Sequence, residues 1–150
     1  LYRPSLNKII WKGSGPFFEQ HDVDILDNHR ISIFNNNIKN GSIDGVNEVI
    51  IYDFKKDKFT KYLKNSFISN RIITGSNGLH QILPNEDLFV EETIFGRTLY
   101  FNSDGTLLWT HINRSEDGNV YRVSWSRILY SKDELLTVKN FLNNKSKCDD

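Results

Sequence analysis

The chain has 150 residues, 38% hydrophobic and 13% aromatic, enough to bury a core as one domain or part of one. Its 19 basic and 19 acidic residues cancel, so it has neither a basic field for nucleic acid nor a polybasic stretch for an anionic membrane. No apolar run approaches the ~20 residues that span a bilayer, and the single cysteine, Cys148, excludes an internal disulfide and a cysteine metal cluster.

Alternation and turn residues predict strands over 8–12, 23–26, 30–34, 48–54, 59–63, 79–83, 88–92, 97–102 and 106–112. Asn28 and His29 stand at a predicted two-residue hairpin turn with positive φ, as do Asp104 and Gly105. That turn would set His21 opposite Asn36 and Asp22 opposite Asn35. The Asn- and Gly-rich stretch 35–45 reads as a long loop. A further strand is expected within 120–129. Ser131 and Glu134 then form a capping box ahead of a short helix.

Two segments repeat. Leu26, Asp27 and Asn28 align with Leu83, Pro84 and Asn85 at an offset of 57 residues, and Tyr2, Ser5, Ile9, Ile10 and Trp11 align with Tyr100, Ser103, Leu107, Leu108 and Trp109 at an offset of 98. Repetition of strand, turn and strand predicts an all-β fold, a partial β-propeller of about two to three four-stranded blades with a short C-terminal helix. The expected division is blades over 1–130, helix over 131–143 and a disordered tail over 144–150. Such a piece leaves two apolar sheet faces, so the missing blades should come from a longer chain or from self-association. With no methionine, the N-terminus is expected to be truncated or processed.

Phe17, Phe18, Glu19, Gln20, His21 and Asp22, followed by Leu26, Asp27, Asn28 and then Ile31 to Asn35, resemble the arylsulfotransferase family: a Gln-His, a Leu-x-Asn-Gly-Asn and a Leu-x-Phe-Asp-Asn pattern. A second match runs through Gly78 to Asn85, Arg97 and Asp104 to Trp109, and Tyr121 and Arg122 resemble a Tyr-Arg pair of the same family. Two departures stand out. The family's Asn-Gly turn is Asn28, His29 and Asn85, Glu86 here, and its Phe-Asp-Asn is Phe34, Asn35, Asn36.

The resemblance implies a six-bladed propeller that moves a sulfuryl group from an aryl sulfate ester to a phenolic acceptor, with His21 as the nucleophile and a sulfohistidine intermediate. A neutral imidazole suits that task, because it can attack sulfur and split one difficult transfer into two. Charge developing on the sulfuryl oxygens needs donors already in place, and His80, Arg97 and Arg122 are the candidates, with Asn35 where the family carries an aspartate. By the repeat, His80 matches Val23 and is expected on the same face as His21. Aryl sulfates and phenols are the implied partners, a periplasmic or secreted location is implied by the resemblance alone, and no cofactor is required.

Plainer readings stand beside these. His21 and His80 suit hydrogen bonding between blades, and Arg97 and Arg122 suit surface or inter-blade pairing. His29 and His111 read as turn and outer-strand residues. Asp22 and Asp24 read as partners for backbone donors, with no metal expected. Trp11, Trp109 and Trp125 read as packing residues. Asn40 and Asn113 open glycosylation-like triplets expected by chance in so Asn-rich a chain. The alternative to the transferase is a non-catalytic propeller that binds a ligand or partner.

Overall fold

A computed structural model describes residues 1–39, 42–43 and 45–145. The fold is mostly β. Two four-stranded antiparallel sheets follow one another along the chain, the first ordered β3-β4-β7-β8 and the second β9-β10-β11-β12. Their strands are β3 (Gln20–Ile25), β4 (Arg30–Asn35), β7 (Glu48–Asp53), β8 (Lys58–Tyr62), β9 (Leu79–Ile82), β10 (Leu88–Glu92), β11 (Arg97–Phe101) and β12 (Leu107–Ile112). Two small ribbons, β1 (Tyr2–Arg3) with β2 (Lys8–Ile9) and β5 (Ile38–Lys39) with β6 (Ser42–Ile43), complete the β structure. Among the described residues no helix is long and apolar enough to cross a membrane.

The central strands explain the packing. β4 alternates Ile31 and Ile33 toward one face with Ser32 and Phe34 toward the other, and all four are buried. Phe34 and Val49 meet Leu88, Val90, Leu99 and Phe101 of the second sheet, with Phe67 of helix α1 (Lys64–Ser69) and Ile72 closing this core. On the opposite face of the first sheet, Ile31, Ile33 and Tyr52 pack under Trp11, Phe17, Phe54 and Phe59. Trp11 lies 5.0 Å from Tyr52, and Trp109 stacks on Tyr100 at 5.7 Å, so both are the packing residues expected.

Several local expectations are corrected. The β3–β4 connection is a three-residue turn: Leu26 N–H donates to the Arg30 carbonyl at 3.0 Å, and neither Asn28 nor His29 has positive φ. Asp27 supplies what a glycine would otherwise provide, its carboxylate accepting from His29 N–H at 2.8 Å and Arg30 Nε at 2.7 Å. Asp24 therefore pairs with Ser32, one residue away from the two-residue register. In the second sheet Leu83 N–H donates to the Asp87 carbonyl at 2.9 Å, 57 residues on.

Stretch 35–45 is not simply a loop, since it carries β5 and β6; of the tail expected over 144–150, residues 144–145 belong to the C-terminal helix, and Asn40 and residues 146–150 lie outside the described residues. Residues 120–129 form no strand beyond one isolated bridge, Val120 with Arg114. Their amides are taken instead by scattered partners: Tyr121 and Val123 N–H by the carbonyls of Asn113 and Thr93, Ser126 N–H by Glu91 at 2.7 Å and Ile128 N–H by Gln81 at 2.9 Å. The capping box is formed, Glu134 N–H donating to Ser131 Oγ at 3.0 Å, and α2 runs over Lys132–Lys145.

Candidate functional site

His21 lies where β3 leaves its ladder. Gln20 pairs with Asn35 and Val23 with Ile33, so His21 and Asp22 together oppose the single residue Phe34 in a bulge. Bulges re-aim side chains, and this one follows Glu19, itself in the left-handed region at φ 55°. The imidazole is exposed, with Nδ1 2.9 Å from Asn36 Oδ1.

Asn36 decides the tautomer. Its amide nitrogen donates to the Thr74 carbonyl at 2.9 Å and the Asn77 carbonyl at 2.8 Å, which spends both of its hydrogens and leaves Oδ1 as the only atom able to face His21. Oδ1 can only accept, so Nδ1 of a neutral His21 carries the proton and Nε2 holds the free lone pair. Asn47 braces the arrangement, donating to the Asn36 carbonyl at 2.9 Å and accepting Thr74 N–H at 2.5 Å.

His21 lines a cleft of about 130 Å³ with Asn77, Gly78, Thr93, Ser124 and Trp125. Gly78, at φ 99°, is needed there because a Cβ would lie 2.5 Å from the Phe34 ring. Gly78 N–H donates to Thr93 Oγ1 at 3.1 Å, and Thr93 in turn donates to Glu91 Oε1 at 2.7 Å. Contrary to the packing role expected of it, Trp125 is 77% exposed and sits at φ 63°.

His80 is not beside His21. On β9 it pairs with Val90, and its ring turns into the space between the sheets, fully buried, stacked at 6.3 Å on Phe34 with Nε2 2.7 Å from Ser32 Oγ. Asp22 joins the sheets here, Oδ2 accepting His80 N–H at 3.0 Å, the backbone-donor role expected of it. The same oxygen lies 3.2 Å from His80 Nδ1, close enough to pair ionically but outside hydrogen-bond geometry, so that buried nitrogen has no hydrogen-bond partner among the described residues. Burial pushes Asp22 upward, yet its bonds to His80, helped by Arg127, outweigh this and hold the carboxyl below its ordinary range. Asp24 is raised by burial, with the Asp22 charge adding to the shift.

Asp22, Asp24 and His80 present ligand-type atoms within 4.8 Å of one another, the described group best able to hold a cation. Arg127 already supplies positive charge, 3.5 Å from Asp22 Oδ1. The constellation Ser32, His80, Asp22 has the order of a nucleophilic triad, but Ser32 and His80 are both fully buried and admit no substrate.

The other predicted contacts also lie apart from the cleft. Asn35 is buried, accepting Phe18 N–H at 2.7 Å and facing Glu48 at 3.4 Å. Arg97 pairs with Glu92 and donates to the carbonyls of Asn70 and Arg71 at 3.1 and 3.2 Å. Arg122 is exposed, and its carbonyl accepts from Asn113 at 3.1 Å. Sequence reasoning passed over Asn36, although it had placed that residue opposite His21; the spacing of the Phe34, Asn35, Asn36 triplet was the available signal. Trp125 and Gly78 had none, since their roles depend on segments far apart in the chain.

No match was found among curated proteins or among solved structures. The family model described as Arylsulfotransferase (ASST) matches residues 1–114, which include both sheets and His21 with its Asn36 partner. That match covers most of the chain, and the chain therefore belongs to the arylsulfotransferase family.

Proposed function

We propose that this chain transfers a sulfuryl group from an aryl sulfate ester to a phenol through His21. Family membership supports sulfuryl transfer at the level of the family. The observation that carries the residue-level reading is the fixed amide of Asn36, which leaves the His21 Nε2 lone pair available beside the cleft. Nε2 attacks sulfur, an N–S bond forms, and the S–O bond to the ring breaks with its electron pair leaving on the phenolate oxygen. The acceptor phenol oxygen then attacks sulfur, its proton passing through solvent to the departed donor phenolate, and the N–S bond breaks with its electron pair returning to Nε2 to restore the neutral imidazole.

The two four-stranded sheets are read as consecutive blades of an incomplete propeller, with β1 and β2 as the outer edge of a preceding one. Exposed Val23 and Ile25 on β3, and Leu107, Leu108 and Ile112 on β12, leave apolar surface for further blades from a longer chain or a second copy. The reading carries with it export to a periplasm or the exterior.

One observation favours the alternative, a propeller that binds an aromatic ligand or a partner without catalysis. Among the described residues lining the His21 cleft there is no arginine or lysine, while Glu91 is present. Sulfuryl oxygens need positive donors in the transition state. In the transferase reading those donors come from the remaining blades.

The test is native mass spectrometry after brief exposure to 4-nitrophenyl sulfate, with His21→Ala beside the wild type. A sulfuryl adduct mapped to His21 and absent from the variant is the expected result. An assembled ring that takes up no adduct overturns the transferase reading in favour of the binding module.

A further inference from the structure

Trp125 combines three features that packing does not explain. Its indole is 77% exposed, whereas Trp11 and Trp109 lie against aromatic neighbours. Its backbone is left-handed at φ 63°, a region unfavourable for any residue with a Cβ and most so for a bulky one. It borders the cleft of about 130 Å³ that holds His21.

The strained conformation is enforced from both sides. Val123 N–H donates to the Thr93 carbonyl at 3.3 Å, and Ser126 N–H to the buried carboxylate of Glu91 at 2.7 Å. Beyond it, Arg127 donates to the His80 carbonyl at 3.2 Å, and Gln81 holds both the N–H and the carbonyl of Ile128, at 2.9 and 3.1 Å. These bonds tie residues 123–128 across the inner edge of the second sheet and aim the indole without packing it. Strain maintained by surrounding structure at the rim of a cleft is a mark of a functional position.

We propose that Trp125 is the aromatic platform of the His21 cleft and selects substrates carrying a single aryl ring; the proposal rests on the sulfuryl-transfer reading above. The volume suits one ring, since a cavity of ~150 Å³ accommodates benzene. An indole face stacks well on an electron-poor ring such as nitrophenyl, and stacking there sets the aryl oxygen beside the imidazole that attacks its sulfur. Trp125 touches the ring and not the reacting bond, so it acts on binding more than on turnover.

The experiment pairs fluorescence titration with transfer kinetics on wild type, Trp125→Phe, Trp125→Ala and His21→Ala. With 4-nitrophenol as ligand, quenching of Trp125 emission is expected in wild type and His21→Ala, and binding followed by calorimetry should show half-saturation raised about 3- to 10-fold in Trp125→Ala and largely restored in Trp125→Phe. With 4-nitrophenyl sulfate the same ratio should appear in KM while kcat changes less. Ring binding through Trp125 without any sulfuryl transfer leaves the platform standing and removes the transferase. Transfer through His21 with unchanged KM in Trp125→Ala overturns the platform and leaves the transferase. Absence of both signals, or an indole already shielded in the ligand-free protein, also overturns the platform.

Discussion

A neutral histidine has two tautomers, and one neighbouring amide chooses between them here. Asn36→Ala removes the acceptor from His21 Nδ1 and a donor from the Asn77 carbonyl, whereas the Thr74 carbonyl keeps Asn47 at 3.1 Å. On the proposed transferase reading, loss of orientation at His21 should lower kcat by about 100-fold with less effect on KM, read in the aryl sulfate assay. Loss of the hydrogen bonds from this buried amide should cost about 1–3 kcal/mol in a urea titration. Asp27 offers a pH test. Its backbone bond from His29 and side-chain bond from Arg30 lower its pKa to about 2 from an ordinary 3.8. A depressed carboxyl contributes stability that is complete above the unfolded value and lost as pH falls through the folded one. Asp27→Ala should therefore be less stable than wild type at neutral pH, with the gap closing between about pH 4 and pH 2 in thermal melts.

At the scale of elements, the strands of the two sheets were the most legible part of the sequence and the strap over 120–130 the least. Strand β10 has the predicted bounds, and β4, β7, β9 and β11 each differ from expectation by one residue, because alternation and turn chemistry are local signals. The strap has strand-like composition, but two of its donors, Ser126 and Ile128 N–H, are satisfied by Glu91 and Gln81 from 35 and 47 residues away. Sequence spacing carries no sign of such capture. Gly96 is one close contact between strap and sheet: it has φ 58°, and a Cβ there would collide with the Tyr121 carbonyl. Gly96→Ala should destabilise by about 1–3 kcal/mol in urea and displace the strap, which an altered Trp125 emission would report. An unchanged emission and midpoint would mean that the strap does not depend on this turn.

For the whole molecule, the two sheets stand or fall on a shared core. Phe34 is fully buried between them, touching both the cluster with Leu88 and Leu99 and the ring of His80. Phe34→Ala should cost about 3–5 kcal/mol, a large share of what a domain of this size has to lose. A single cooperative urea transition at a lower midpoint is the expected outcome; two separate transitions would show that the sheets unfold independently. The repeat alignment of His80 with Val23 holds, since His80 pairs with Val90 as Val23 pairs with Ile33, but the bulge at His21 and Asp22 breaks the alternation on which a face shared with His21 was expected. Strand β9 turns His80 toward Ser32 and the first sheet, where only a buried role is available.

The sequence by itself determined the β class, the succession of strands along the chain and the helix cap, and singled out His21 as a candidate, because periodicity, turn residues and short motifs act over a few neighbouring residues. Tertiary structure decided the bulge that turns His21 out, the amide that sets its tautomer, the burial of His80 and the exposure of Trp125. Asn36 meets Asn77, Asp22 meets His80 and Ser126 meets Glu91 only once the two sheets have packed. Those contacts depend on the relative placement of whole elements, which apolar burial fixes and local sequence pattern does not encode.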